Sequence, residues 1–207
     1  MANVRRLGFI PTRQSGGGVI SFRKARVLTN NTLGIFHGDC VKHTSSGDAV
    51  ACAAGTDEQL LLSSVAQGAV YLDGNNIYRE SKYLPAATLY SATDFEPAYG
   101  NYVYLVENPV NVYFEANVAN VALALTDMNL NYPIVLTAGS TTTGLSKHEL
   151  NATGRATTAT FPFRAIEPVR RADNDLSLVD VKILCMINAG QIEPALSTGA
   201  AAGSQGT

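Results

Sequence analysis

Along much of the chain, apolar and polar residues alternate with a period of two. Tyr102–Val106 reads YVYLV, and Val110, Val112, Phe114 and Ala116 alternate with Asn111, Tyr113 and Glu115. Successive side chains of an extended strand point to opposite faces, so this pattern predicts half-buried strands. Glu107-Asn108-Pro109 separates the two runs and predicts a tight turn joining an antiparallel pair. Asp73-Gly74 lies between Ala69-Val70-Tyr71-Leu72 and Ile77-Tyr78, a strong hairpin signal because both central residues of such a turn need positive φ. Phe161, Phe163 and Ala165 alternate with Pro162 and Arg164, and a proline there places the run at a sheet edge or a bulge. Val179, Val181, Ile183, Cys185 and Ile187 line one face of a further strand. Leu184 and Met186 on its other face predict a central strand covered on both sides.

Helix signals are few. Thr56 and Gln59 form a candidate capping box before Leu60-Leu61-Leu62, although the following Val65, Ala69, Val70 and Leu72 read better as strand. Residues 120–130 fit one helical turn, or a strand running into a turn. No long amphipathic helix is present, which excludes helical bundles and argues against βαβ folds. About ten strand candidates at intervals of roughly 8–15 residues predict an all-β fold. The expected form is an antiparallel β-sandwich or a jelly-roll-like β-barrel. Three segments are expected: an N-terminal arm over 1–18 ending in Gly16-Gly17-Gly18, a single β domain over 19–195, and a flexible Ala/Gly/Ser/Thr-rich tail over 196–207.

Composition sharpens this picture. Of 207 residues, 46% are hydrophobic, enough to build a core, and only 15% are charged, well below the ~25% usual for soluble domains. Such a surface suits a protein packed against neighbours. No apolar run reaches the ~18 residues of a membrane helix, and no secretory leader is evident. The three cysteines, Cys40, Cys52 and Cys185, read as free thiols of a protein made in a reducing cytoplasm. The net charge of −2 hides an asymmetry: residues 1–36 carry six basic side chains and no acidic one. Arg5, Arg6, Arg13, Arg23, Lys24 and Arg26, with Phe9 among them, are therefore candidate partner contacts on an acidic surface. The competing reading pairs these cations with the chain's own carboxylates.

Two stretches invite a chemical reading. Residues 138–160 hold seven threonines around Ser146, His148 and Glu149. They lack the G-x-S-x-G elbow of a serine hydrolase, and triads are assembled from separated segments, so this stretch reads as an exposed contact loop. The second stretch, Ile35-Phe36-His37-Gly38-Asp39-Cys40-Val41-Lys42-His43, would put His37, Asp39 and His43 on one face of a regular strand. That is a conceivable metal site with unfamiliar spacing, and the competing reading is a bulged strand with surface histidines and Cys40 in the core. The glycine triplet lacks the G-K-[ST] ending of a phosphate loop. No catalytic residue, cofactor or metal ligand is assigned, and neither a membrane nor a nucleic acid is expected as a partner.

The order of motifs resembles the small virion structural proteins of tailed bacteriophages. The matching series runs from Gly8-Phe9-Ile10-Pro11 through the Ile35–Val41 stretch (aliphatic-Phe-x-Gly-Asp-x-Val). It continues with Tyr102-Val103-Tyr104-Leu105-Val106-Glu107-Asn108-Pro109, Tyr113-Phe114-Glu115 and Thr126-Asp127, then residues 140–151, Glu167-Pro168-Val169-Arg170-Arg171, and Met186-Ile187-Asn188 before the small-residue tail. Met128-Asn129 stands where a glycine is usual. The resemblance implies a capsid cement or decoration protein, located on the virion surface. It would bind the major capsid protein and itself, as a homotrimer. Two other readings have the same composition or a separate motivation: a head-completion or tail protein, and a metal- or carbohydrate-binding β-barrel.

Overall fold

A computed structural model describes residues 3, 8–27, 32–45, 47–59, 62–72, 77–86, 101–119 and 121–188. The chain is all-β, with several antiparallel sheets and, among the described residues, no long helix. Five strands form the first sheet, in the order β1 (Ile10–Gln14), β10 (Val112–Asn117), β15 (Lys182–Ile187), β14 (Phe163–Pro168) and β11 (Asn131–Tyr132). The second runs β2 (Phe22–Arg26), β9 (Tyr102–Val106), β6 (Ser64–Leu72), β4 (Cys40–His43), β5 (Ala49–Ala51), with β7 (Tyr78–Ser81) also paired to β6. Two short pairs complete the fold, β3 (Ile35–Phe36) with β8 (Tyr83–Leu84) and β12 (Ile134–Val135) with β13 (Glu149–Leu150).

The strands at 102–106 and 112–117 form as their alternation predicts, but they do not pair with each other. β9 belongs to the second sheet and β10 to the first. Between them Asn108 takes a left-handed conformation and Pro109–Asn111 makes one 3-10 turn, which redirects the chain from sheet to sheet. The N-terminal segment follows the same path in the opposite direction: β1 lies along β10 and β2 along β9. Together they form a bent two-stranded ribbon shared by both sheets, a corner in which strands switch sheets. The glycines at 16–18, all at positive φ, supply the bend on the N-terminal side.

This geometry corrects the N-terminal arm. Among the described residues of 1–18, β1 is a strand of the first sheet, and Phe9 is fully buried in the core, its ring stacked on Phe163 at 4.2 Å. A ring closed inside its own domain cannot be the partner contact expected of it. Of the two readings of 120–130, one helical turn or a strand running into a turn, the structure takes the first, with a 3-10 turn at Leu125–Asp127, and residues 56–59 form a turn rather than a helix. β6 and β7 pair as the Asp-Gly signal predicts, with the turn itself, 73–76, outside the described residues. β15 is central, as expected. β14 is interior and carries a bulge between Ala165 and Glu167. The tail, 196–207, lies outside the described residues.

Two apolar clusters fill the fold. The larger joins Phe9, Phe114, Phe163, Tyr132, Ile183 and their neighbours, and the smaller lies inside the second sheet around Val41, Val103 and Leu105. That second sheet curls until its edges touch. Val27 bridges Ala49, and Arg26 Nε donates to Asp48 Oδ1. Among the described residues no further pairing joins β2 to β5, so the sheet stays open and is not a closed barrel.

Candidate functional site

The two stretches with chemical character meet in space. Residues 8–9, 36–40 and 144–148 cross at one junction, tied by backbone hydrogen bonds. Gly8 N donates to His148 O (2.9 Å), Phe9 N to Gly38 O (3.0 Å), His37 N to Gly144 O (3.1 Å) and Ser146 N to His37 O (2.9 Å). The crossing needs glycine. A Cβ on Gly38, at φ +91°, would sit 3.1 Å from Gly8 Cα, and one on Gly8 would sit 2.9 Å from Ser146 Cβ.

Ser146, His148 and Glu149 are all buried at this junction. The exposed contact loop expected there is therefore corrected: the threonines at 141–143 and 157–158 face solvent, but the polar trio turns inward. The reason is unpaired backbone. Cys40 N–H needs an acceptor and finds His148 Nδ1 at 3.1 Å. A backbone N–H can only donate, so Nδ1 is the acceptor and the neutral ring carries its proton on Nε2. Nε2 lies 3.4 Å from Asp39 Oδ1. Asp39 Oδ2 accepts from Phe36 N–H at 2.8 Å, while Oδ1 has no hydrogen-bond donor. Burial raises the Asp39 carboxyl to about 7, opposed by the Ser146 hydroxyl and the Phe36 N–H. Burial also lowers His148 to about 4. Glu149 accepts from Asn117 Nδ2 at 2.7 Å.

Asp39 and His148 line a cavity of about 170 Å³. Its remaining wall is mainly apolar, from Leu33, Phe36, Ala54 and Leu136, with the Cys52 thiol among them. A thiol, an imidazole and a carboxylate are the kit of a cysteine hydrolase, but they do not form its relay. Both imidazole nitrogens face other groups, Cys40 N–H and Asp39 Oδ1, and burial pushes the Cys52 thiol far above its ordinary range.

The three residues expected on one metal-binding face point to different partners. His37 Nδ1 meets Gln67 O at 2.9 Å, Asp39 turns to His148, and His43 Nε2 accepts from Arg23 Nη2 at 2.9 Å. The Gly38 turn after β3 breaks the strand that would have aligned them. Among the described residues no cluster of three or more His, Cys, Asp or Glu is arranged to hold a metal.

The expected partner-contact cations separate into groups. Arg5 and Arg6 lie outside the described residues. Arg13 pairs with Glu167 at 2.9 Å and lies over the Tyr113 ring, and Arg26 pairs with Asp48, so both find carboxylates of their own chain. Arg23 and Lys24 remain exposed on β2 beside Phe22, which is 50% exposed, and near Val19, which is 88% exposed. β2 has a strand partner on one side only among the described residues, at Phe22–Arg26. The edge strand of the first sheet, β1, is blunted by Pro11, which lacks an N–H, and by an irregularity between Pro11 and Arg13. β2 has neither device.

The sequence did not disclose the pairing of Asp39 with His148, because no local spacing links residues so far apart. The needed signals, Gly38 and Gly144, were visible but carried no address. Among the described residues no helix is long and apolar enough to cross a membrane. No protein-family model, curated protein or solved structure matches the chain.

Proposed function

We propose that this chain is a structural protein of a tailed-phage particle, a cement or decoration protein that binds the outer capsid surface and reinforces contacts between major capsid protein subunits. The observation that carries the reading is the β2 edge: a strand paired on one side only over Phe22–Arg26 among the described residues, with two exposed cations beside two exposed apolar side chains. Such an edge accepts an extended segment of another chain as an added strand. Arg23 and Lys24 favour an acidic segment, and they disfavour a second β2 laid antiparallel to the first. The low overall charge and the ordered motif series support the same reading.

Magnitudes explain why such a protein would act in many copies. Each added backbone hydrogen bond nets only about 0.5–1.5 kcal/mol, and association itself costs several kcal/mol or more. One added strand with Phe22 and Val19 makes a weak contact. A trimer engaging several sites at once gains from effective concentration, with no new contact needed.

Binding of purified protein to phage heads stripped of it tests the reading. The Arg23→Glu/Lys24→Glu pair, which stays on an exposed strand, should lower occupancy and remove its salt dependence. Unchanged occupancy would refute docking through β2, and no binding by the unaltered protein would refute the capsid reading.

A further inference from the structure

We propose that Arg23 and His43 form a carboxylate-binding pair at the seam between β2 and the β4–β5 hairpin, and that seating a carboxylate there draws a proton onto His43. The inference rests on the docking reading above and adds its regulation by pH. Arg23 Nη2 lies 2.9 Å from His43 Nε2, in an exposed contact between the two edges of the second sheet. A guanidinium can only donate, so Nε2 is the acceptor and the neutral ring carries its proton on Nδ1. The seam itself places the two groups: Val27 bridges Ala49, and Arg26 pairs with Asp48. Arg23 differs from the other described cations of its segment. Arg13 and Arg26 find carboxylates, Glu167 and Asp48, whereas Arg23 spends a donor on an uncharged ring and meets no carboxylate of its own chain among the described residues. A guanidinium pairs best with a carboxylate, through two parallel donors.

The proton follows from the charges. Protonating His43 alone would set two cations 2.9 Å apart. Burial first, and then the Arg23 charge, hold the ring below its ordinary range, against the opposing pull of the Gly47 and Asp48 backbone and of the Asp48 carboxylate. Arg23 from β2 and Asp48 from the turn after β4 are the charged groups acting on the ring. Asp48 is itself held by Arg26, and Lys42, the next residue on β4, is paired with Asp57. A carboxylate arriving between the two side chains reverses the sign. It accepts from Arg23 and from a protonated Nε2, and its negative charge removes the repulsion between them. Carboxylate and proton therefore favour each other's binding, and an acidic segment is held more tightly as pH falls through the histidine range.

Two measurements on the full chain test the proposal. The first is an NMR titration of the His43 ring, its signals assigned with His43→Gln. The ring should titrate below the ordinary 6.5, and at a measurably higher pH in Arg23→Gln, which keeps a donor and loses the charge. An unmoved titration would overturn the pair on the isolated protein, with no capsid involved. The second is binding to stripped phage heads at about pH 5.5 and about pH 7.5, where affinity should be about fivefold or more tighter at the lower pH. His43→Gln should flatten that difference. Equal affinity at both pH values, or a pH dependence that survives His43→Gln, would overturn the carboxylate site and leave the docking reading standing. Absence of binding at either pH would overturn the docking reading, and the carboxylate site with it.

Discussion

The ring of Phe9 stacks on the ring of Phe163, their centroids 4.2 Å apart and their planes 5° from parallel. Phe114 meets the same Phe163 ring edge-on at 6.3 Å. The N-terminal segment therefore closes the core instead of reaching away from it. Phe9→Ala should cost about 3–5 kcal/mol, read as a lower urea midpoint. Removing residues 1–14, which takes β1 with it, should unfold the domain. A folded truncation with an unchanged midpoint would restore a detachable arm.

Gly38 offers a test of the three-segment junction. Gly38→Ala forces a Cβ into the left-handed region and against Gly8 Cα, 3.1 Å away. Gly55, at φ +79° with open space around it, is the control. Gly55→Ala should carry only the conformational cost, about 1–2 kcal/mol. Gly38→Ala should lose clearly more, as chemical denaturation would report. Equal losses would mean that the chains at the junction can separate freely.

The Asp39–His148 pair predicts opposed pH dependences. Asp39 titrates near 7 in the fold against 3.8 for an ordinary side chain, so the folded chain holds a proton there that the unfolded chain has lost. That contribution makes stability fall as pH rises from about 4 to about 7. His148, lowered to about 4 from 6.5, works in reverse: its contribution rises with pH between about 4 and 6.5. Asp39→Asn removes only the falling part. Its urea midpoint should therefore gain on that of the unaltered protein as pH increases from about 4 to about 7. Parallel midpoints over that range would show an ordinary, ionised Asp39.

Lys182 is fully buried, its Nζ 3.2 Å from Asp173 Oδ2, while the Asp173 side chain is 40% exposed. The two halves of this pair should behave unequally. Asp173→Ala leaves the buried ammonium only the Asp173 backbone carbonyl, 3.5 Å away, and should lower the melting temperature clearly, whereas Lys182→Met leaves a hydrated carboxylate and should lower it far less. Comparable thermal shifts for the two variants would mean that the ammonium reaches water.

Local pattern made the strands readable, and tertiary pairing stayed hidden. The alternation at Tyr102–Val106 and Val112–Asn117 identifies both strands, because period-two burial is a property of each strand alone. Their assignment to separate sheets depends on the bend at Asn108-Pro109, which reads like an ordinary hairpin turn. The candidate site shows the same division. Asp39 stands in a strand-like stretch and His148 in one that reads as an exposed loop, but the pairing of Cys40 N–H with His148 Nδ1 is made by the fold. For Arg13 and Arg26 the rule that surface cations find local carboxylates was the better guide.

The proposed docking of β2 against a capsid shell is tested most directly by electron cryomicroscopy of purified particles of the tailed phage in which the chain is proposed to sit. The predicted result is density for the domain on the outer capsid surface, repeated around the capsomer junctions, with Phe22, Arg23 and Lys24 against an extended acidic segment of the shell. Absence of the chain from that surface, or its presence there with β2 facing solvent, would contradict it.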